Sequence, residues 1–302
     1  MLPTKVPASV WIRQNSAADN TWTGVAYGNG TFVAVSSDGA DRVMASIDGG
    51  ITWTLCADAS NVAWSAVTWG NGLFVAVGDT GTSRVMTSFD GFKWTSRPEA
   101  GNQGWSSVTF GNGVFVAVAS SSGNGVMSSS DGIRWIVRLP AASNSWTGVT
   151  FGNGLFLAVS SNGVGNRVQT SPNGITWTSR SSAADNAWAA VTFGNGLFVA
   201  VATSGSGNRV QTSPNGINWT IQESAADNAW NAITFGDGTF VAVSYAGIGN
   251  QVQTSSDGVT WVSQTSATDN RWVSVAFGIP HGEYIFVAVS SNGFGDRVMT
   301  SC

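Results

Sequence analysis

Reactive and charged side chains are scarce in this chain. Of 302 residues, two are cysteine, one is histidine, three are tyrosine and two are lysine. A single histidine, His281, rules out a histidine-cluster metal site, and two cysteines cannot build a cysteine-rich zinc site. With 13 basic against 17 acidic residues the net charge is −4, so a basic footprint for nucleic acid is missing. No apolar run reaches membrane-spanning length. No stretch keeps a helical period, and no glycine-rich phosphate loop precedes a helix. Neither a metal nor a cofactor is expected, and nucleic acid and membrane insertion are excluded as partners.

Glycine, tryptophan and repetition are what the chain has in abundance. A tryptophan opens the pattern W-x-x-[VI]-x-[FYW]-G at positions 22, 64, 105, 146, 188, 230 and 272, in steps of 41 or 42 residues. A second tryptophan closes S-x-[DN]-G-x-x-W at positions 94, 135, 177, 219 and 261, and the same pattern with one more residue at position 53. A fixed period of this length marks stacked units, none of which buries its apolar faces alone. The fifth unit reads as four short strands: "WAAVTFG", "LFVAVAT", "RVQTS" and "INWTIQ". The first two are joined by Asn195-Gly196, the two-residue signal for a type I′ hairpin. "LFVAVAT" is a continuous apolar run, suited to burial on both faces.

The chain ends decide how the units assemble. The seventh unit stops at "RVMTSC", before its fourth strand, and "VWIRQNSAADN" near the N-terminus supplies an orphan fourth strand. If residues 10–16 complete the last sheet, a ring closes and no long edge is left unpaired. The expected fold is all-β: one domain over 1–302, a seven-bladed β-propeller of four-stranded blades. In such a ring Cys56 and Cys302 fall toward opposite faces, about a strand length apart, so no disulfide is expected between them.

The segments "SIDGGITW", "SFDGFKW", "SSDGIRW", "SPNGITW", "SPNGINW" and "SSDGVTW" resemble the Asp-box of Asp-box (BNR-like) repeat propellers. The resemblance implies a structural part for Asp48, Asp90, Asp131, Asn173, Asn215 and Asp257: each side-chain oxygen accepts backbone N–H groups inside a turn. Exchange of Asn for Asp within one chain fits a staple better than an acid or a metal ligand. Sialidases are the best-known enzymes with such boxes, and they imply an arginine triad, a tyrosine–glutamate pair and an acid. No such set is evident here. Arg42, Arg84, Arg167, Arg209 and Arg297 recur at one repeat position, as a scaffold position does, and Tyr27 takes the place of a repeating Phe. The sequence therefore reads as non-enzymatic, with sialidase-like hydrolysis as the least favoured alternative.

Variation concentrates in the loops between second and third strands and in the blade-to-blade "AADN" links. Asn166, Arg167, Asp185, Asn186, Asn208, Arg209, Asp227 and Asn228 are the candidate ligand-binding residues, since neutral amides with a few Asp–Arg pairs suit sugar hydroxyls. Against this stands ordinary turn and brace chemistry. Residues 279–284 lengthen one hairpin of the last blade and bring in the only histidine. The expected function is binding or surface display, with a glycan as the first ligand class. A structural or protein-interaction module on a virion, appendage or cell surface is the alternative. No signal-peptide core follows "MLPTKVPASV", yet the composition suits an exposed ring.

Overall fold

The computed structural model describes residues 8–57, 60–98, 101–121 and 125–301. They form 28 strands and one turn of 3-10 helix, Pro280–Gly282. The strands make seven four-stranded antiparallel sheets, six of them ordered by sequence from the inner strand outward. The inner strands of successive blades lie side by side all the way round, with Trp272–Gly278 of blade seven against Trp22–Gly28 of blade one. The fold is the expected seven-bladed propeller.

Closure follows the expected overlap. Trp11–Gln14 pairs antiparallel with Val298–Ser301, in the register Trp11↔Ser301 to Gln14↔Val298. The blade-seven sheet thus draws its outer strand from the beginning of the chain. The thiol of Cys56 is buried and free, and burial followed by the nearby Asp90 charge pushes its pKa up to about 11. Cys302 lies outside the described residues, and with it the expectation about a bridge.

The alternation of strand types has a direct physical cause. Second and third strands have neighbours on both faces, so runs such as Phe198-Val199-Ala200-Val201-Ala202 are wholly buried. The tryptophan that opens each inner strand is also fully buried, in all seven blades. Truncating one to alanine would cost about 3–5 kcal/mol. The hairpin turns carry the expected signature: Asn29, Asn71, Asn112, Asn153, Asn195 and Asp237 have φ between 44° and 50°, each followed by a glycine with positive φ.

Glycine at the end of each inner strand sets how closely the blades approach. A Cβ on Gly152 would lie 2.1 Å from Cγ of Phe193, the aromatic of the next blade. Gly28 meets Trp69, Gly70 meets Phe110, Gly111 meets Phe151, Gly194 meets Phe235 and Gly236 meets Phe277 in the same way. Gly278 against Tyr27 completes the circle across the closing seam. Gly152 has no positive φ, so the demand is for space and not for backbone freedom. We expect Gly152→Ala to lower unfolding free energy by about 1–3 kcal/mol through overpacking. A double-mutant cycle with Phe193→Ala, followed by chemical denaturation, should show the two changes coupled; additive effects would remove the contact from this account.

Candidate functional site

Two regions bear on function: the joints between blades that hold the expected ligand-binding residues, and the funnel at the centre of the ring.

The joints form around the "AADN" links, and each residue of the link has a partner. At the joint between blades four and five, the carbonyl of Ala184 accepts the indole N–H of Trp188 at 3.0 Å. Asp185 Oδ1 accepts the Gly165 amide at 2.8 Å and lies 3.5 Å from Nε of Arg167. Asn186 donates through Nδ2 to the carbonyl of Asn208 at 2.7 Å, while its own carbonyl accepts Nη1 of Arg167 at 2.8 Å. Between blades five and six, Asp227 Oδ1 accepts the Gly207 amide at 2.6 Å and lies 3.7 Å from Nε of Arg209. Asn228 donates to the carbonyl of Asn250 at 2.8 Å. Asn166 Oδ1 accepts from Asn144 at 3.2 Å, and Asn208 Oδ1 takes the Ser206 amide at 3.0 Å.

Seven of the eight expected residues therefore gather in two like joints, and Asn166 bonds Asn144 in the preceding joint, between blades three and four. The same joint recurs at the closing seam, where Asp19 accepts the Gly295 amide at 2.6 Å and Arg297 donates to the carbonyl of Asn20 at 2.6 Å. Asp185→Ala and Asp227→Ala should each lower stability by roughly 0.5–1.5 kcal/mol, because a half-exposed charged hydrogen bond and a screened ion pair are lost. Melting curves of both variants check this; unchanged melting temperatures would free these carboxylates for a ligand.

On the opposite face the box residues sit inside their turns. Asp131 Oδ1 accepts the amides of Ile133 and Arg134, both at 2.8 Å, and Asn215 accepts those of Ile217 and Asn218 at 2.9 and 3.0 Å. Asp48, Asp90, Asn173 and Asp257 do the same in their own turns. The Arg134 amide foremost holds Asp131 below the usual carboxylate range, and the Thr260 amide does so for Asp257. For Asp48 and Asp90 burial pushes upward, but turn hydrogen bonds outweigh it. A folded-state pKa below the unfolded one gives stability that is present above the unfolded pKa and lost as pH falls through the folded pKa. Melting temperature should therefore fall below about pH 4. Replacing Asp48, Asp90, Asp131 and Asp257 together by Asn should flatten that fall, as seen by melting at stepped pH.

Residues 279–284 pack onto blade one. His281 Nε2 lies 3.0 Å from the carbonyl of Ile47, and a Cβ on Gly49 would touch Ile285 and Pro280. Tyr284 stacks on Phe277 with ring centroids 6.0 Å apart. Burial raises the Tyr27 pKa against a smaller opposing hydrogen bond from the Ile279 backbone. The insertion spans the seam where the ring closes.

The funnel was not anticipated from sequence. In every blade the residue after the opening tryptophan is an extra one: Trp146 pairs with Ser160 and Gly148 with Val159, leaving Thr147 bulged. Bulges re-aim side chains, and these line the ring axis. The funnel has a volume of about 530 Å³, and none of its lining residues is charged. Thr23, Ser106 and Thr147 donate to the carbonyl of the next blade's tryptophan at 2.7, 2.6 and 2.6 Å, so their lone pairs remain as acceptors. Ser107 and Ser274 work in reverse, accepting the amides of Val149 and Val25 at 3.3 and 3.1 Å, so their protons remain as donors. Asn231 holds the carbonyl of Val273 at 2.8 Å. The only signals in sequence were the small and hydroxyl residues after each tryptophan, which look like ordinary strand residues.

Among the described residues no group of three His, Cys, Asp or Glu side chains could hold a metal ion, and no helix is long and apolar enough to cross a membrane.

The class these features define is the seven-bladed propeller with a neutral axial funnel. The sequence matches no protein-family profile and no curated protein. Solved structures with this fold include virginiamycin B lyase from Staphylococcus aureus, at 12% identity and TM-score 0.79, with 97% of this chain and 98% of that one covered. YCF48 from Cyanidioschyzon merolae matches at 16% identity and TM-score 0.69, covering 96% and 98%. YCF48 bound to D1 peptide matches at 16% identity and TM-score 0.70, covering 98% and 99%. Likeness at this identity concerns the fold. It nevertheless corrects one expectation. The chain was read as non-enzymatic because it lacks a sialidase set, yet this ring carries a lyase in the Staphylococcus aureus protein and in a streptogramin B lyase. Absence of the sialidase residues does not argue against catalysis, and that reading is withdrawn.

Proposed function

We propose that this protein is a binding propeller whose ligand enters the axial funnel, and that the ligand is a neutral, hydroxyl-rich molecule, a glycan before others. The observation that carries this reading is the funnel wall: fully uncharged, and offering acceptors at Thr23, Ser106 and Thr147 beside donors at Ser107 and Ser274. A sugar hydroxyl is both donor and acceptor, and an uncharged wall holds it without the desolvation cost of a buried charge. Tyr245 adds an exposed aromatic ring at the mouth, on which a sugar face can rest. The six box turns support kinship with the Asp-box propellers as a proposal of the same standing.

A second reading, docking to a protein, is supported by a different feature. Val164, Ile248 and Phe294 stand 88%, 88% and 92% exposed at one loop position, which Ala40, Thr82 and Ser206 fill in other blades. The fold does not require a bulky apolar residue at these tips. The peptide bound to YCF48, a ring of the same fold, supports this reading.

A glycan array followed by titration calorimetry tests the first reading. One ligand per ring is expected, with Tyr245→Ala weakening binding about three- to ten-fold at unchanged melting temperature and Asn231→Ala weakening it likewise with a small fall in melting temperature, because its bond to Val273 is lost. Several equivalent weak sites per ring, lost in Asp185→Ala and Asp227→Ala, would move the glycan to the blade joints. No binding across the array by a folded protein would favour the docking reading.

A further inference from the structure

Asp79 places a single carboxylate beside the neutral funnel. It occupies the position that follows the second strand's core, filled by Ser37, Ser120, Ser161, Thr203, Tyr245 and Ser291 in the other blades. Six siblings without a charge show that the fold does not need a carboxylate there. With Ser37, Trp64, Ser65, Asn231 and Ser291 among its neighbours, Asp79 lines a cavity of about 320 Å³ that shares residues with the funnel.

Local backbone is shaped around this side chain. In blade two, Ala63 pairs with Thr80 and Trp64 with Gly78, which leaves Asp79 as an extra, bulged residue. Among the described strand pairs no other blade has this second bulge. The carboxylate then lies over Gly104 of blade three, where a Cβ would come within 2.1 Å of Oδ1. The equivalent residues elsewhere are Thr21, Ala63, Ser145, Ala187, Ala229 and Arg271, all of which carry a Cβ. Among the described residues Asp79 makes no hydrogen bond and no ion pair. A bulge and a glycine thus accommodate a carboxylate that braces nothing among the described residues.

We propose that Asp79 is the recognition group for a primary ammonium on the ligand, so that the funnel prefers an amine-bearing saccharide over its N-acylated counterpart. This rests on the glycan reading above. An ammonium brings three N–H donors and no acceptor. Around Asp79 it meets the carboxylate, with Ser37, Ser291 and Asn231 on the same cavity wall to take its remaining protons. An N-acetyl group in the same place would leave the carboxylate facing an uncharged amide.

Calorimetry with three probes tests it: fully deacetylated chitotriose, tri-N-acetylchitotriose and n-butylammonium chloride. The deacetylated sugar is expected to bind about five-fold tighter at low salt, since the carboxylate is exposed and screened. Asp79→Asn, which keeps the shape, should bring that ratio to about one, and so should Asp79→Ser, which installs the sibling residue. Equal binding of both sugars to the native protein overturns the ammonium inference and leaves the glycan reading standing. Butylammonium binding that depends on Asp79, with neither sugar bound, keeps the inference and removes the glycan. No binding by any probe overturns both.

Discussion

The close approach of neighbouring inner strands is the constraint on which the rest of this ring depends. A glycine without a Cβ lets the aromatic of the next blade sit directly against the backbone, as with Gly152 and Phe193, and the contact is repeated until Gly278 meets Tyr27. Seven such contacts at one spacing fix the radius of the ring and hence the width of its axis. The tryptophans at the other end of the same strands are fully buried and anchor that end. Between these two anchors the strand has one residue too many for its partner, and the surplus is the bulge that lines the funnel. The funnel is thus a geometric product of blade packing, with chemistry decided by a position the packing leaves free.

Polar ties then lock what the apolar contacts have placed. In "AADN" the alanine carbonyl takes the tryptophan N–H, the aspartate takes the previous blade's loop, and the asparagine takes its own blade's loop. Buried glutamines do similar work: Gln169, Gln211 and Gln253 accept the amides of Ala141, Ala183 and Ala225 at 2.8, 2.9 and 3.0 Å. Blades one, two, three and seven have Met44, Met86, Met127 and Met299 at that position, so the tie is an option and not a requirement. Each blade-to-blade bond is modest in water, and their number around a closed ring makes opening any single joint dependent on its neighbours.

The architecture was legible in the sequence because every blade restates it. The 41- or 42-residue step, the Asn-Gly hairpins and the displaced fourth strand all record constraints on the backbone, and the structure contains each of them. The site was far less legible. Asp185, Asn186, Asp227 and Asn228 drew attention because polar residues in variable loops resemble ligand groups, yet in the fold the aspartates meet backbone amides and guanidiniums and the asparagines donate to backbone carbonyls. Such partners lie 18 to 22 residues away, and loop composition carries no trace of them. Thr23, Ser106 and Thr147 escaped notice for the opposite reason. They alternate plausibly in a strand, and only the bulge turns them to the axis.

A repeat protein supplies its own control, and this changes what counts as a functional signal. When most copies share a residue, packing or pairing explains it, as the arginines at the joints of five blades illustrate. When one copy departs and the backbone departs with it, the change serves something outside the repeat. Asp79 of blade two is a departure of this kind, Asn231 and Tyr245 of blade six depart in side chain alone, and all three line the funnel or the cavity that adjoins it. Seven near-equal blades would otherwise offer a ligand seven equal orientations. Unlike groups at two sides of one mouth break that symmetry, so that a small ligand can sit in a single pose. Recognition and any chemistry both need such a pose, and the ring obtains it by altering a few positions that its packing does not use.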